Sequence, residues 1–446
     1  MATKMNYQAA IQWLSSRYFT HGTKLGLQRI QRLCQHMGNP HNNYPTLHIA
    51  GTNGKGSVSH YLSSVLTEEG YKTGLYISPH LEEFSERISI DSIPISPQEL
   101  ITLLETLRPL VDQMDAEKDS PSFFEITTAL AFSYFYQKGV DIAVIEVGLG
   151  GTYDATNIIT PEVSIITNIS LEHTKHLGPT VLHIAKEKAG VIKPNVPILS
   201  AAASPAIEVI KTIAETKEAP FIHITKKQWN RIEHTPISQT FHISTLHQTY
   251  TLISHVLGEY QGENIALAVH ALELLEKRGF HISKESILKG IGQSFNPGRM
   301  ETYCLQPYIL LDGAHNPAGI EMLTKALQED YKYERLILIM GILKDKDLKR
   351  MTQVISQLAD IFIATQPKSQ RAFPSKDLEE LIRSYRYPHQ ILSSPTIDEA
   401  LQKAISIYEE KDLICVAGSL FTIGEARRIL HQKNPGSCLQ NHSYIS

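Results

Sequence analysis

Seven residues, Gly51-Thr52-Asn53-Gly54-Lys55-Gly56-Ser57, carry the clearest chemistry in the chain. The short apolar run Thr46–Ala50 before them predicts a buried strand. After them Val58, Tyr61, Leu62, Val65 and Leu66 recur at helical spacing up to Gly70. Between a strand and a helix, glycines let backbone N–H groups close on phosphate oxygens, and the helix N-terminus adds partial positive charge. Lys55 is then placed to reach outer phosphates and Ser57 to hold Mg²⁺. The pattern is not strict: Ile49 stands where a glycine is usual, and Gly56 separates Lys55 from Ser57. An ordinary glycine turn would also join strand to helix, but it does not require Lys and Ser at the helix start.

Other polar residues fall at predicted strand ends, where open α/β sheets bind ligands. Glu146 closes the apolar run Val140–Val147, and a carboxylate there can hold Mg²⁺ beside phosphate oxygens. A strand-end acid capping the next turn is the lesser reading. Ser78-Pro79-His80-Leu81 follows the run Thr73–Ile77, and His173 follows Val163–Thr167. A lone histidine is more often structural, but its place beside Glu146 favours a site. Lys186 and Lys188 lie on a helix just beyond and could be no more than a solvated basic face. Farther on, Asp312-Gly-Ala-His315-Asn316-Pro317 sits between a strand and a helix start. A helix cap explains Asn316-Pro317 but not Asp312 or His315. Arg299 could clamp a phosphate. These residues imply a two-domain, ATP-using enzyme with a Mg²⁺-dependent site in the cleft between domains, and leave open whether phosphate is transferred or a bond is made.

The elements that must position these groups alternate strand with helix, which predicts a mostly parallel sheet with helices on both faces. Helices are expected over much of 5–38, over 97–110 and from Ser122 to Tyr136, with a polar loop at Asp112–Ser120 between the last two. Short runs near 221, 241 and 250 read as antiparallel strands. Phe295-Asn-Pro297-Gly298-Arg299 marks a boundary, after which a fresh βα pattern begins. The expected division is 1–295, then 296–432, with a polar tail at 433–446.

A chain of 446 residues, 42% hydrophobic and 20% charged, has ample core for two or three domains. A net charge of −4 argues against a general nucleic-acid surface, while small anionic substrates need only local positive charge. The four cysteines, Cys34, Cys304, Cys415 and Cys438, are scattered as in proteins of a reducing cytosol. No apolar run has membrane-spanning length and residues 1–20 lack a signal-peptide pattern, so a cytoplasmic protein with neither membrane nor nucleic-acid partner is expected.

In order along the chain stand Gly51–Ser57, Ser78-Pro-His-Leu81, Glu86-Arg87, Phe124-Glu125, Glu146-Val-Gly-Leu-Gly-Gly151, Asp154-Ala-Thr-Asn157, His173, Lys186-Glu-Lys188-Ala-Gly190, Pro297-Gly-Arg299, Asp312-Gly-Ala-His-Asn-Pro317, Asp345-Lys-Asp347 and Gly418-Ser-Leu. This ordered set resembles the folylpolyglutamate synthase/dihydrofolate synthase family of the Mur ligase superfamily, from about Leu25 to Arg428. The Gly-Lys-Gly-Ser order of the loop becomes a marker of that family. The resemblance implies an α/β fold: a Mur-ligase-like P-loop ATPase domain with a mostly parallel sheet, and a smaller Rossmann-like C-terminal domain.

It also implies the chemistry. ATP would phosphorylate the carboxylate of dihydropteroate, or of a folate's terminal glutamate, and the amino group of L-glutamate would attack the acyl phosphate. Matched position by position, Gly54, Lys55, Gly56, Ser57, Asn264, Arg299 and Asp312 would bind ATP. Ser57, Ser78, Glu146, His173 and Lys188 would hold Mg²⁺ at two sites, with Lys188 carried as a carbamate. Lys55, His173, Lys188 and His315 would be catalytic. Ser122, Phe123, Phe124, Glu125, Tyr153, Asp154 and Ala155 would hold the pterin, with the loop near Lys24–Leu27. A monomer acting on dihydropteroate, reduced folates and L-glutamate is expected. Alternatives are a synthase limited to polyglutamylation, another Mur-type ligase, or a nucleotide-binding regulator without catalysis. The chain departs from the family pattern at Thr152-Tyr153, where an arginine is usual, at Glu172 in place of Asp, and at Asn296 in place of an aromatic residue.

Overall fold

A computed structural model describes residues 6–20, 26–385, 387 and 390–433. Lys24 and Leu25 of the expected pterin loop, and residues 434–446 of the expected tail, lie outside the described residues. The described residues divide into two compact units. One holds the residues up to Asn230 with Ile243–Thr251 and Gly262–Gly292; the other holds Arg231–His242, Leu252–Gln261 and the residues from Gln293 onward. The change at Gly292/Gln293 lies beside the Pro/Gly punctuation of 295–299, whereas two short segments before it group with the second unit.

The first unit is built on eight strands: β1 (Thr46–Ala50), β2 (Thr73–Tyr76), β3 (Ile88–Ile90), β4 (Ile93–Pro94), β5 (Ile142–Glu146), β6 (Val163–Ile166), β7 (Ile198–Ser200) and β8 (Phe221–His223). Their order is β4-β3-β2-β5-β1-β6-β7-β8. All neighbours run parallel except β2–β3 and β3–β4. Strands β1, β2, β5, β6 and β7 are buried throughout, because parallel strands covered by helices on both faces have no solvent side. β1 is therefore central, with β5 on one side and β6 on the other. Its register sets Ile49 beside Glu146 and Ala50 beside Ile166, so three carboxyl ends finish at one level. The chain leaving β1 goes to β2 beyond β5, while the chain leaving β5 crosses to β6, which makes a switch point at that level.

Two expectations change. The helix starting at Pro97 runs to Ala116, through much of the expected Asp112–Ser120 loop. Val111 and Met114 stay on its buried face while Asp112 is exposed and the half-buried Asp115 pairs with Arg17 at 2.6 Å, which is an amphipathic helix with a polar face rather than a loop. Phe221–His223 is not antiparallel: β8 pairs parallel with β7 at the sheet's edge. The antiparallel sheet is β9 (Trp229–His234), β10 (Gln239–Ser244) and β11 (Thr249–Ser254), ordered β11-β10-β9.

The second unit carries β12 (Glu301–Leu305), β13 (Tyr308–Leu311), β14 (Arg335–Met340), β15 (Ile361–Ala364), β16 (Gln390–Ser393) and β17 (Asp412–Ala417). The order β12-β13-β17-β14-β15-β16 is parallel except for the β12–β13 pair. Leu310, Leu338, Phe362 and Cys415 from these strands pack with helix residues Ile320, Leu327 and Met351 as its core.

Candidate active site

The phosphate-type loop leaves β1 at Gly51, whose φ of 142° and lack of a side chain are both needed there: a Cβ would lie 1.8 Å from Thr167 Oγ1. The loop is pinned to the segment after β6. Thr52 N donates to Asn168 O at 2.8 Å, Asn53 N to Asn168 Oδ1 at 3.0 Å, and Thr167 Oγ1 to Asn53 O at 2.7 Å. Thr167, Asn168 and Ser170 were not singled out by motif. Their signal is the polar run following an apolar strand. Gly54, at φ 88°, opens the helix Lys55–Glu68, and a Cβ on it would lie 2.4 Å from Asn264 Oδ1. Asn264, from the helix Gln261–Lys277, thus lies against the loop.

Lys55 folds back on the loop, donating to Gly51 O at 3.0 Å and Thr52 O at 3.1 Å. Gly51 O also receives Lys188 Nζ, at 2.5 Å. Lys188 is only 2% exposed, at the end of the helix Val181–Lys188, and pairs with Glu172 at 2.8 Å. Burial is the main reason its amine is pushed down to about 8; Glu172 opposes the shift and Lys55 adds to it. Burial pushes Glu172 up, yet Lys188 and Lys55 bring it below the ordinary carboxylate value. Glu146 is buried at the end of β5 and accepts Ser78 N at 3.2 Å. His173 follows Glu172 directly, at φ 46° and exposed.

Loop, Ser57, Ser78, Glu146, Glu172, His173 and Lys188 therefore gather at the carboxyl ends of β1, β5 and β6. Among the described residues no three His, Cys, Asp or Glu side chains converge as a ready-made metal cage. Mg²⁺ does not ask for one. It keeps several waters and takes one or two carboxylates plus substrate phosphates, so Ser57, Ser78 and Glu146 beside a phosphate loop fit it. Lys188 fits as a ligand only after conversion to an anionic oxygen donor.

The expected pterin residues meet in the same unit. The Phe124 ring packs on Gly148, where a Cβ would come within 2.4 Å of its Cζ. Ser122 and Glu125 form a capping box on the helix Phe123–Lys138: Ser122 Oγ accepts Glu125 N, and Glu125 Oε2 accepts Ser122 N at 2.8 Å. Much of the Ser-x-x-Glu spacing is thus spent on starting a helix. Phe123 is spent on the core, edge-on to Phe84 with Arg87 over its face. Ser122, Phe124 and Tyr153 keep some exposure, while Asp154 and Ala155 are buried. Glu125 is further held by Arg29, whose Nε lies 3.0 Å from Oε1, both side chains buried. Removing one partner of such a pair strands a charge. Arg29→Ala should cost about 3–5 kcal/mol of stability in chemical denaturation, and Arg29→Met/Glu125→Gln should recover most of it.

In the second unit Asp312 follows β13. It is buried and accepts Met300 N and Ala314 N, each at 2.9 Å. Burial raises its carboxyl, against the nearby Arg299. Gly313 lies close to Arg299 Nη1, and His315 Nδ1 bonds Gly313 O at 2.8 Å. Arg299, Asp312 and His315 thus form one cluster.

Matches to known proteins extend over nearly the whole chain. The Mur ligase middle domain matches residues 49–272 and the Mur ligase glutamate ligase domain matches residues 298–420. A dihydrofolate synthase/folylpolyglutamate synthase of Bacillus subtilis is 35% identical over 435 residues, covering 95% of this chain and 99% of that one. The chain belongs to the folylpolyglutamate synthase/dihydrofolate synthase family of Mur ligases. The Mycobacterium tuberculosis folylpolyglutamate synthase complexed with ADP superposes at a TM-score of 0.87, with 29% identity over 95% of this chain and 98% of that one. Escherichia coli FolC in complex with DHPP and ADP gives 0.85, with 27% identity over 96% and 100%. The mostly parallel N-terminal sheet and the separate C-terminal α/β unit are those of the family. Among the described residues no helix is long and apolar enough to cross a membrane.

Proposed function

We propose that this chain is an ATP- and Mg²⁺-dependent ligase that joins L-glutamate to dihydropteroate, giving dihydrofolate, and to the γ-carboxylate of folates. The observation that carries the reading is the phosphate loop set between the ends of β5 and β6, with Lys188 on Gly51 O, in a chain matched end to end by such ligases.

The γ-phosphoryl group of ATP passes to the substrate carboxylate, giving an acyl phosphate and ADP. The neutral amine of L-glutamate then attacks the acyl carbon. Phosphate leaves with the bonding pair, and the nitrogen sheds its proton to become the amide. Lys55 turns from the carbonyls of Gly51 and Thr52 toward the outer phosphates, while Gly54, Gly56 and Ser57 present backbone N–H groups. Mg²⁺, when bound, supplies positive charge where triphosphate and carboxylate crowd together. Ser57, Ser78, Glu146, His173 and a carboxylated Lys188 would hold it at two sites.

Carboxylation needs the neutral amine. Its lone pair takes up CO₂, a proton is lost, and an anionic oxygen pair replaces the ammonium. An amine pushed down to about 8 has a far larger neutral fraction near pH 7.5 than an ordinary lysine. Asn264, Arg299 and Asp312 complete the nucleotide set, and His315 joins the catalytic group. Ser122–Glu125 and Tyr153–Ala155 take the pterin, directly or by shaping its pocket. We place the phosphate loop and pterin binding in residues 1–295, and ligation, with the nucleotide contacts Arg299 and Asp312, in 296–432. We take the protein as a cytoplasmic monomer; Cys34, Cys304 and Cys415, buried as free thiols, suit that compartment.

The test is ADP release from purified protein with Mg²⁺, L-glutamate and either dihydropteroate or tetrahydrofolate. Release with both is expected. Release with tetrahydrofolate alone would restrict the protein to polyglutamylation. Release with neither, but with a UDP-muramyl substrate, would move it elsewhere among Mur ligases.

A further inference from the structure

His48 lies on β1, three positions before the phosphate loop begins at Gly51, and is completely buried. Its Nε2 lies 2.8 Å from Thr156 Oγ1. Thr156, also buried, donates its hydroxyl to Asp154 Oδ1 at 2.5 Å, and its backbone N–H reaches the same oxygen at 3.0 Å. Asp154 Oδ2 accepts Leu149 N at 2.8 Å. A threonine hydroxyl has one proton, and here it goes to the carboxylate. The oxygen must therefore accept from His48, which fixes the ring as the Nε2–H tautomer. Burial, helped by Lys193, keeps that ring neutral, its pKa pushed down to about 3. The three groups form a one-way chain of donated protons ending on Asp154, and Asp154 in turn closes the loop from Leu149 to Thr156.

We propose that His48 is a positioning residue for the pterin substrate: through Thr156 it orients Asp154 and sets the Gly148–Asn157 loop against the strand that bears the phosphate loop. The inference rests on the pterin reading of Tyr153–Ala155. Its physical content is that one strand aligns two substrate loops. β1 ends in the turn that takes ATP, and three positions before Gly51 it sends a donor to the loop that takes the acceptor acid. The acyl phosphate forms only if carboxylate and γ-phosphate meet within bonding distance, so a small error in this tie is felt in substrate binding. A buried polar group kept only for stability would behave differently. Its loss would lower the melting temperature and affect all substrates alike.

Four variants separate the two. His48→Gln keeps an amide N–H near the place of Nε2–H, whereas His48→Asn sets it too short. Thr156→Val removes the hydroxyl at nearly constant volume, and Thr156→Ser restores it. Steady-state kinetics should show KM for dihydropteroate raised roughly tenfold to a hundredfold in His48→Asn and Thr156→Val, as for other outer groups that orient a site. KM for ATP and for L-glutamate should stay within about twofold, and His48→Gln and Thr156→Ser should be close to wild type. The double variant His48→Asn/Thr156→Val should be no worse than either single one, because both cut the same chain. Equal rises for ATP and dihydropteroate, or no rise at all, would overturn the proposal. Should His48→Asn fold poorly, Thr156→Val against Thr156→Ser carries the same comparison. Wild-type protein that releases no ADP with either pterin would instead remove the functional reading, and this inference with it.

Discussion

Lys188→Ala is expected to lower ADP formation by roughly 10³-fold, about 4 kcal/mol of transition-state stabilisation. The present contacts show only an amine pairing with Glu172 and donating to Gly51 O. If Lys188 acts as that cation, Lys188→Arg keeps the charge and should retain a good part of the activity. If it acts as a carbamate, arginine cannot be carboxylated and should be as inactive as alanine. The carbamate reading also predicts partial rescue of the alanine variant by formate or acetate, which supply an oxygen pair in the vacated volume. Full activity in Lys188→Ala would remove both readings. The charge arithmetic favours a change of state. Lys55 and Lys188 both reach for Gly51 O, and Lys55 disfavours the charge on Lys188. Making Lys188 anionic ends that competition and frees Lys55 for the phosphates, while the new anion, facing Glu172, then needs the metal's charge.

Gly190→Ala should be the most damaging change that removes no functional group. A Cβ there would lie 2.4 Å from Thr152 Cα and 2.6 Å from Thr152 N, so backbone must move. The facing glycine is equally constrained: a Cβ on Gly151 would meet Glu187 O at 2.7 Å and Lys188 O at 2.8 Å. Between them Thr152 N donates to Glu187 O at 2.9 Å, and Asn157 Nδ2 bridges Thr152 O and Gly190 O, each at 3.1 Å. The Gly148–Asn157 loop and the helix that ends in Lys188 are thus seated on each other. Prising them apart should cost about 1–3 kcal/mol of stability, as overpacking does. A displacement of about 1 Å should lower kcat/KM by roughly a hundredfold. Denaturant melts and steady-state kinetics measure both. Wild-type values in both would mean that the loop and helix need not touch.

Much of the candidate site was legible because its residues stand in short segments at strand ends. Glycines at a strand-to-helix turn with Lys55 and Ser57, an acid closing the run 142–146 and a histidine after the run 163–166 all stand where α/β sheets bind ligands. The outer elements were less legible for physical reasons. Asp112 and Asp115 read as loop because they are charged, although Val111 and Met114 keep helical spacing on the buried side. Phe221–His223 was misread because a three-residue edge strand, half-exposed on both faces, carries no period that tells parallel from antiparallel pairing.

Sequence by itself determined which residues could do chemistry and, through their order, the ligase family to which the chain belongs. Tertiary structure decided how those residues are held. That Glu172 faces Lys188, that Gly190 lets a helix end close on Thr152, and that His48 reaches Thr156 are contacts 16, 38 and 108 positions apart in the chain, by subtraction of residue numbers. Local propensity carries no information about such pairs. They exist because the order β5-β1-β6 sets distant strand ends side by side at the same level. The loop from Gly51 to Ser57 reads as a phosphate loop from its own residues and their strand-to-helix setting, whereas the amine, the acid and the histidine come near it only through that strand order.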